Sequence, residues 1–286
     1  MKHHQLAVRG LNYHIQEWGE PENPTLFLLH GWMDCGASYK FVAEYLSQHY
    51  HLIAPDWRGF GETDHATAYW FPDYFADLEC ILNHYAPGTA VNIVGHSMGG
   101  NIALMYSGIR PERVAKVVSL EGLGMPETNS DATASNYAKW LDDVVVEKVT
   151  KIYPDVDALK ASIRAGNPSL SEEIVTQLVS FWGKPHGAEG QMRLKHDHAH
   201  RYPNPIRYNF DDVLAVWAKV SADVGIVMAK QSPFYHHYLG DGRIKQALDC
   251  FSMQEQEIGL VDDATHMLHL EQPEQVASLI REFFAS

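Results

Sequence analysis

The sequence predicts an α/β fold: a mainly parallel, doubly wound sheet with an inserted helical cap. Three observations carry this. Apolar runs at Thr25 to Leu29, His51 to Ala54, Val91 to Val94, Val114 to Leu120 and Val224 to Met228 read as strands buried on both faces. Stretches of helical spacing alternate with those runs, the pattern of a parallel sheet wound with helices on either side. The glycine-flanked polar segments sit just after the runs, where open α/β sheets carry their sites.

Each element can be justified in order. Leu6 to Val8 and Tyr13 to Trp18 flank Gly10-Leu11-Asn12 and read as an opening hairpin, polar and apolar residues alternating in its second arm. Glu20 to Pro24 is a loop before the Thr25 to Leu29 strand. His30-Gly31-Trp32-Met33-Asp34 follows at once. A glycine just past a central strand lets the backbone approach a ligand closely, which makes the Trp32 amide a candidate oxyanion donor. Phe41 to Leu46 has helical spacing. The His51 to Ala54 strand runs into the glycine-punctuated loop Pro55 to Asp64, in which Asp56 and Arg58 are read as fixing the loop by hydrogen bonds rather than as a catalytic pair. Phe71 to Tyr85 reads as a helix with Pro72 near its start.

Val91 to Val94 then meets Gly95-His96-Ser97-Met98-Gly99, a G-x-S-x-G pattern, and Ile102, Ala103 and Met105 continue with helical character. Strand, glycine-flanked serine and helix is the context of a nucleophile elbow. It lifts Ser97 to the top of the sheet at a helix N-terminus, where amides point at a developing anion. The Met98 amide is the second candidate oxyanion donor; one such donor is worth about 3 kcal/mol to a tetrahedral intermediate.

After Val114 to Leu120 the pattern changes. Between about residues 126 and 219 strand-like runs become rare, and Ala138 to Ile152, Val156 to Ile163, Ser171 to Phe181 and Asp211 to Val220 carry helical spacing. Val224 to Met228 returns to strand type, Ile258 to Val261 is the last strand, and Gln272 to Phe284 is a closing helix with Val276, Leu279, Ile280 and Phe283 on one face. The expected organisation is a sheet-bearing core of residues 1–124 and 221–286, with residues 125–220 a helical cap lying over the strand ends.

Bulk properties narrow the function classes. The 286 residues are 45% hydrophobic and 20% charged, an ordinary globular mixture. A formal net charge of −14 argues against a nucleic-acid groove or an anionic membrane surface as partner. Met1 to Leu6 lacks the apolar core of a signal peptide, and no run approaches the roughly 18 apolar residues of a membrane span. Cys35, Cys80 and Cys250 are scattered without a C-x-x-C, so the expectation is a reduced, cytoplasmic protein. Oligomeric state is left open.

His30-Gly31 after a strand, Asp56-Trp57-Arg58-Gly59-Phe60-Gly61, the elbow around Ser97 and the tail Asp263-Ala264-Thr265-His266-Met267-Leu268-His269-Leu270-Glu271-Gln272-Pro273-Glu274 resemble, in this order, the α/β-hydrolase superfamily. They are most similar to its single-domain members with an inserted helical cap, and the resemblance covers about residues 1–124 and 221–286. It implies that the cap shapes a substrate cavity. It also implies that His266, in the loop after the last strand, is the base for Ser97, in the family's order of serine, acid and histidine. His269, three residues on, is the rival and is expected to pack structurally in or beside the helix.

The acid is where the chain departs from the commonest pattern. Many relatives carry an Asp after the strand that here is Val224 to Met228, but Ala229-Lys230-Gln231-Ser232-Pro233-Phe234 offers no carboxylate, and Ser232 stands about where the Asp would. Another branch places the acid after the strand that follows the nucleophile. There Glu121 stands before Gly122 and becomes the candidate that orients His266 and stabilises its imidazolium. Asp241, Asp262 and Asp263 are poorer candidates, and Asp223 precedes its strand.

Lys195-His196-Asp197-His198-Ala199-His200 invites a zinc reading. Its spacing is strand-like, however, rather than the i, i+4 of a helical site, and related caps carry a similar basic, Asn-Pro-containing segment without a metal. It is read as a buried polar segment tying cap to core, and no metal or cofactor is expected. Trp140, Tyr153, Phe181, Trp182, Tyr208 and Trp217 are candidates for an apolar pocket, with core packing the expected role for most.

These residues predict a serine hydrolase acting on a small or medium carboxylic ester, with Ser97 as nucleophile, His266 as base, Glu121 as acid, and the Trp32 and Met98 amides as oxyanion hole. A C–C bond hydrolase, an amidase or a cofactor-free perhydrolase would use the same triad, and a non-catalytic small-ligand receptor on the same fold is the reading from another class.

Overall fold

The computed structural model describes residues 2–125, 127–146, 150–187, 189–240 and 242–285. The chain opens with β1 (Lys2–Val8) and β2 (Leu11–Trp18), the expected hairpin with Leu11 already in its second strand, and β3 (Thr25–Leu29) follows. Then come α1 (Lys40–Leu46), β4 (His51–Pro55), α2 (Phe71–Tyr85), β5 (Val91–His96), α3 (Met98–Ile109) and β6 (Val114–Leu120). The middle holds α4 (Thr133–Val144), β7 (Ile152–Tyr153), α5 (Val156–Gly166), α6 (Glu172–Trp182), β8 (Gly183–Pro185), β9 (Met192–Leu194) and α7 (Phe210–Trp217). The chain closes with β10 (Asp223–Ala229), α8 (Pro233–Gly240), α9 (Arg243–Phe251), β11 (Gly259–Val261), α10 (Leu268–Glu271) and α11 (Pro273–Ala285).

Eight strands form one sheet in the order β1-β2-β4-β3-β5-β6-β10-β11. Only the opening hairpin and its junction with β4 are antiparallel; from β4 to β11 every pairing is parallel. The apolar runs have no polar face because both faces are covered. Phe27, Leu29, Ile53, Ile93 and Val117 point to the side packed by α2 and α3. Their neighbours Leu26, Leu28, Leu52, Val94 and Val118 point to the side packed by α1 and α11. Each fully enclosed aliphatic side chain contributes roughly 1.5–3 kcal/mol, so the central strands are fixed most firmly, and they present the site. No described helix is long and apolar enough to cross a membrane.

The middle differs from expectation in three places. The helix read over Ala138 to Ile152 starts earlier, at Thr133, and ends at Val144, while Ile152 pairs with Arg193 as part of β7; residues 147–149 lie outside those described. β7, β9 and β8 form a small antiparallel sheet that strands of two or three residues are too short to announce by alternation. α7 buries Phe210, Val213 and Trp217 in the same core as Ile102 and Tyr106 of α3, rather than lying over the strand ends. Two helices after β10, α8 and α9, were also not expected; α8 begins at Pro233 and ends at Gly240, while α9 does carry helical spacing in Ile244, Ala247 and Leu248.

α5 and α6 pair with one another and rest on the core through Leu159, Val175 and Leu178, which meet Phe41 of α1 and Leu270 of α10. α4 has no buried residue.

Candidate active site

Ser97 stands between the end of β5 and the start of α3 with φ 52° and ψ −113°, a conformation that costs a non-glycine residue roughly 1–3 kcal/mol. Close packing holds it there. A Cβ on Gly95 would overlap the backbone of Gly99, and one on Gly99 would overlap the carbonyl of Leu29. The Ser97 amide donates to Leu120 O at 2.8 Å, tying the turn to the end of β6.

His266, in the loop between β11 and α10, places Nε2 2.9 Å from Ser97 Oγ. Its Nδ1 lies 3.3 Å from Glu121 Oε2. A carboxylate beside Nδ1 keeps the ring hydrogen there and leaves the Nε2 lone pair toward the serine hydroxyl. Glu121 directly follows β6, also at positive φ (58°), and is 1% exposed. It is well held: its amide donates to Val227 O at 2.9 Å, and Oε1 accepts from the Ala229 amide at 2.7 Å. Oε2 accepts a short hydrogen bond from Ser232 Oγ. The residue at the position without a carboxylate is therefore a partner of the carboxylate that stands elsewhere. That role was not anticipated, although Ser232's place after β10 marked the position.

The other candidates lie apart. Asp262 pairs with Lys230 at 2.6 Å, and Asp263 Oδ1 lies 3.4 Å from Gln231 Nε2. Asp223 opens β10 with its side chain mostly exposed, and Asp241 lies outside the described residues. His269 is fully buried in α10, as its structural reading required. Asp56 and Arg58 do not pair with each other. Asp56 accepts from the Gly36 and Glu62 amides at 2.7 and 3.0 Å, and Arg58 holds Asp77 with two bonds of 2.6 Å.

Trp32 and Met98 both border the space in front of Ser97. A Cβ built on Gly31 would sit 3.2 Å from Ser97 Cβ, so the turn carrying Trp32 packs directly on the serine. Met98 is the first residue of α3, and its amide has no acceptor within the helix. His30 pins the Gly31 turn. Its Nδ1 donates to Gly31 O at 2.7 Å and its Nε2 accepts from the Trp57 amide at 2.8 Å, an arrangement that needs the neutral ring. Burial favours that form by pushing the His30 pKa down.

A cavity of about 560 Å³ opens over Ser97. Much of its wall is aromatic or aliphatic, with Trp70, Phe71 and Tyr74 at the start of α2, Trp140 and Val144 on α4, and Phe234 on α8; Thr67, Asn101, His200 and Asn204 are among the polar residues that line the rest. The Phe234 ring centroid lies 4.3 Å from that of His266. No lysine or arginine is among the described lining residues, and Glu121 is the one carboxylate. Of the six aromatics considered from sequence, Trp140 lines this space; Trp217 is in the core, and Trp182 donates from Nε1 to Asp34 Oδ1 at 2.9 Å.

Lys195 to His200 forms no metal cluster among the described residues. The Asp197 amide donates to Gly59 O at 2.8 Å, Asp197 Oδ2 accepts from Tyr69 at 2.6 Å, and the His200 ring stacks on Phe60 with centroids 3.8 Å apart. The segment thus ties the middle of the chain to the Asp56 loop. Burial lowers the pKa of His200 to about 3 and that of His196 to about 4, so both rings are neutral. The described group with metal-ligand character lies elsewhere: one ligand atom each of Asp34, His96 and His269 fall within 4.8 Å of one another.

Comparison with known proteins agrees with this architecture. Residues 24–151 match the family model described as the alpha/beta hydrolase fold. The chain is 29% identical over 278 residues to a serine hydrolase-like protein of Danio rerio, covering 94% of this chain and 83% of that one. It is 32% identical over 117 residues to Epoxide hydrolase 4 of Homo sapiens, covering 40% of this chain and 32% of that one. Among solved structures, the thioesterase domain from the curacin biosynthetic pathway superposes with a TM-score of 0.86 at 24% identity, covering 100% of this chain and 99% of that one.

Proposed function

We propose, from the premise that this chain belongs to the α/β-hydrolase superfamily and is a hydrolase of that fold, that it cleaves an uncharged carboxylic ester through an acyl-enzyme on Ser97. The observation that carries the reading is the line Ser97 Oγ to His266 Nε2 at 2.9 Å and His266 Nδ1 to Glu121 Oε2 at 3.3 Å, beneath an apolar cavity. A serine hydroxyl is a weak nucleophile and needs a base within hydrogen-bond reach.

In this reaction His266 Nε2 takes the Ser97 proton as Oγ bonds to the ester carbonyl carbon. The carbonyl oxygen becomes an anion facing the Trp32 and Met98 amides, and the new imidazolium faces the buried Glu121 carboxylate. Collapse breaks the ester C–O bond, and His266 returns its proton to the departing alkoxide, which leaves as the alcohol. Water then gives a proton to His266 as its oxygen adds to the acyl carbon; the bond from that carbon to Ser97 Oγ breaks, the acid leaves, and His266 returns its proton to Oγ, restoring Ser97. The family resemblance implies that epoxide hydrolases of this fold carry an aspartate at the elbow; the serine here supports the acyl-enzyme route instead. The aromatic lining without a cation supports an apolar acyl group. The segment from residue 125 to about 209 acts as the cap, with α7 assigned to the core.

The test is p-nitrophenyl ester turnover across acyl chain lengths together with fluorophosphonate labelling. Wild-type protein is expected to be labelled at Ser97, and Ser97→Ala to lose both label and turnover, by roughly 10⁴-fold or more in kcat. Turnover persisting in Ser97→Ala, or a label on another residue, would sink the reading.

A further inference from the structure

Beneath the serine turn lies a buried cluster for which the reaction above has no use. Asp34 follows β3, His96 ends β5 and His269 sits in α10, and all three are at most 3% exposed. Enclosed imidazoles and carboxylates are costly unless partnered, so their arrangement calls for a reason. His96 Nε2 lies 2.7 Å from the backbone carbonyl oxygen of His266. A carbonyl only accepts, so Nε2 bears the hydrogen and donates. Burial first, then the neighbouring His269 and His266, push the His96 pKa well below its ordinary value and keep the ring neutral. Its other nitrogen, Nδ1, is enclosed without a hydrogen-bond partner.

His96 is braced from behind. Its ring centroid lies 4.3 Å from that of His269, whose far side meets the Tyr39 ring at 5.4 Å. His269 Nε2 lies 3.4 Å from Asp34 Oδ2. Burial, the largest influence, works to raise the Asp34 carboxyl, but His269, His30 and the Ser38 hydroxyl together outweigh it and hold the group below its usual value. Asp34 in turn accepts from Ser38 Oγ at 2.7 Å and from Trp182 Nε1 on α6 at 2.9 Å. Side chains thus run in contact from a helix of the middle segment to the carbonyl of His266.

We infer that His96, backed by His269 and Asp34, is a positioning residue for the proposed base: its Nε2–H holds the His266 backbone and so fixes how that imidazole stands between Ser97 and Glu121. The inference rests on the roles proposed for Ser97 and His266. The loop before His266 is anchored separately, by Thr265 hydrogen-bonding Glu271. The His96 bond is the one to the His266 backbone among the described residues. The 3.3 Å contact between His266 and Glu121 has little room to lengthen before it ceases to be a hydrogen bond, and misplacement by about 1 Å costs on the order of 100-fold in rate.

Three substitutions test this, each checked for a native melting transition. His96→Phe keeps a ring but removes the donor. His96→Asn keeps an amide too short to reach where Nε2 stood. His96→Gln restores an N–H donor at about that reach. The readouts are kcat and KM for an activated ester, the pH profile of kcat/KM, and the rate of fluorophosphonate labelling at Ser97. The titratable groups facing His96 are His30, Tyr39, His266 and His269, and those facing His266 are Glu121 and His96.

In the Phe and Asn variants kcat should fall about 100-fold with KM changed less than about twofold, because uniform binding is untouched. The acid limb should move to lower pH as the imidazolium loses its hold on Glu121, and His96→Gln should recover to within about tenfold of wild type. A Gln variant no better than Asn, or a folded Phe variant with unmoved rate and profile, overturns the inference while Ser97 labelling of the wild type leaves the hydrolase reading standing. If the Phe variant does not fold, the comparison of Gln with Asn decides. Wild-type protein unlabelled at Ser97 overturns both.

Discussion

The sheet-bearing core and the segment between β6 and β10 are held by different physics. In the core, central strands are enclosed on both faces, and the turns after β5 and β6 are forced into positive φ by what surrounds them. Ser97 and Glu121 are therefore placed by packing that cannot relax locally. Apart from α7, whose Phe210, Val213 and Trp217 pack in the main core, the middle segment rests on the core through one small apolar cluster and polar ties such as Asp197 to Tyr69 and Trp182 to Asp34. Its outermost helix, α4, has no buried residue yet supplies Trp140 and Val144 to the cavity. Under the proposed function the difference gives two tasks: rigid strand ends hold the proposed reacting groups, and a lightly anchored layer lines the space above them.

The largest effect that bears on this contrast is expected from Glu121→Gln. The amide keeps the shape and can still accept from the Ala229 amide. It would then turn an N–H toward His266 Nδ1, which favours the wrong tautomer of the base. We expect kcat to fall by roughly 10³–10⁴-fold, with a melting temperature close to wild type because the packing around β6 is unchanged. Activity within about tenfold of wild type would remove Glu121 from the proposed triad.

Ser232→Ala probes the same carboxylate more gently. The serine hydroxyl is fully buried and donates to the oxygen that also meets His266. Without it Glu121 keeps its bond from Ala229 but can rotate about it, and we expect about a tenfold loss in kcat, equivalent to ~1.4 kcal/mol. Steady-state kinetics on one ester would measure it. An unchanged kcat would show that the Ala229 bond and the walls of the pocket suffice.

The same division explains what could be read from sequence. Thr25 to Leu29 was legible to the residue because burial on both faces leaves an apolar run, and Val114 to Leu120 was legible to the residue although Lys116 and Ser119 interrupt its run. The nucleophile turn was legible because its geometry demands glycines at fixed offsets. Glu121 was reached by the absence of a carboxylate after β10 and by its own place after β6 before Gly122, whereas the hydroxyl of Ser232 that answers it left no pattern of its own. The buried trio Asp34, His96 and His269 was not legible, since three elements far apart in the chain bring it together. In the middle, β7, β8 and β9 are too short for periodicity, and α7 carries an amphipathic pattern whatever surface it packs on.

The smallest and most local effect separates the polar ties of the middle segment from the core by acidity. His200 and His196 have pKa values lowered by burial to about 3 and about 4, against about 6.5 in an unfolded chain. Between those limits the unfolded state binds protons that the native state refuses, so stability is complete above about pH 6.5 and is lost as the pH falls. The slope is at most about 1.4 kcal/mol per pH unit for each ring, and less where solvent screens it. For a chain of this size that is on the order of 2 °C per pH unit. His3, His30 and His96, also lowered, act in the same direction. His200→Phe should keep the stack on Phe60 and Tyr69, lose the contact with Arg58 O, and flatten the dependence without abolishing it. Thermal melts from pH 7 to pH 5 on both proteins measure the difference. Identical slopes would place the acid-sensitive histidines in the core rather than in the segment that covers it.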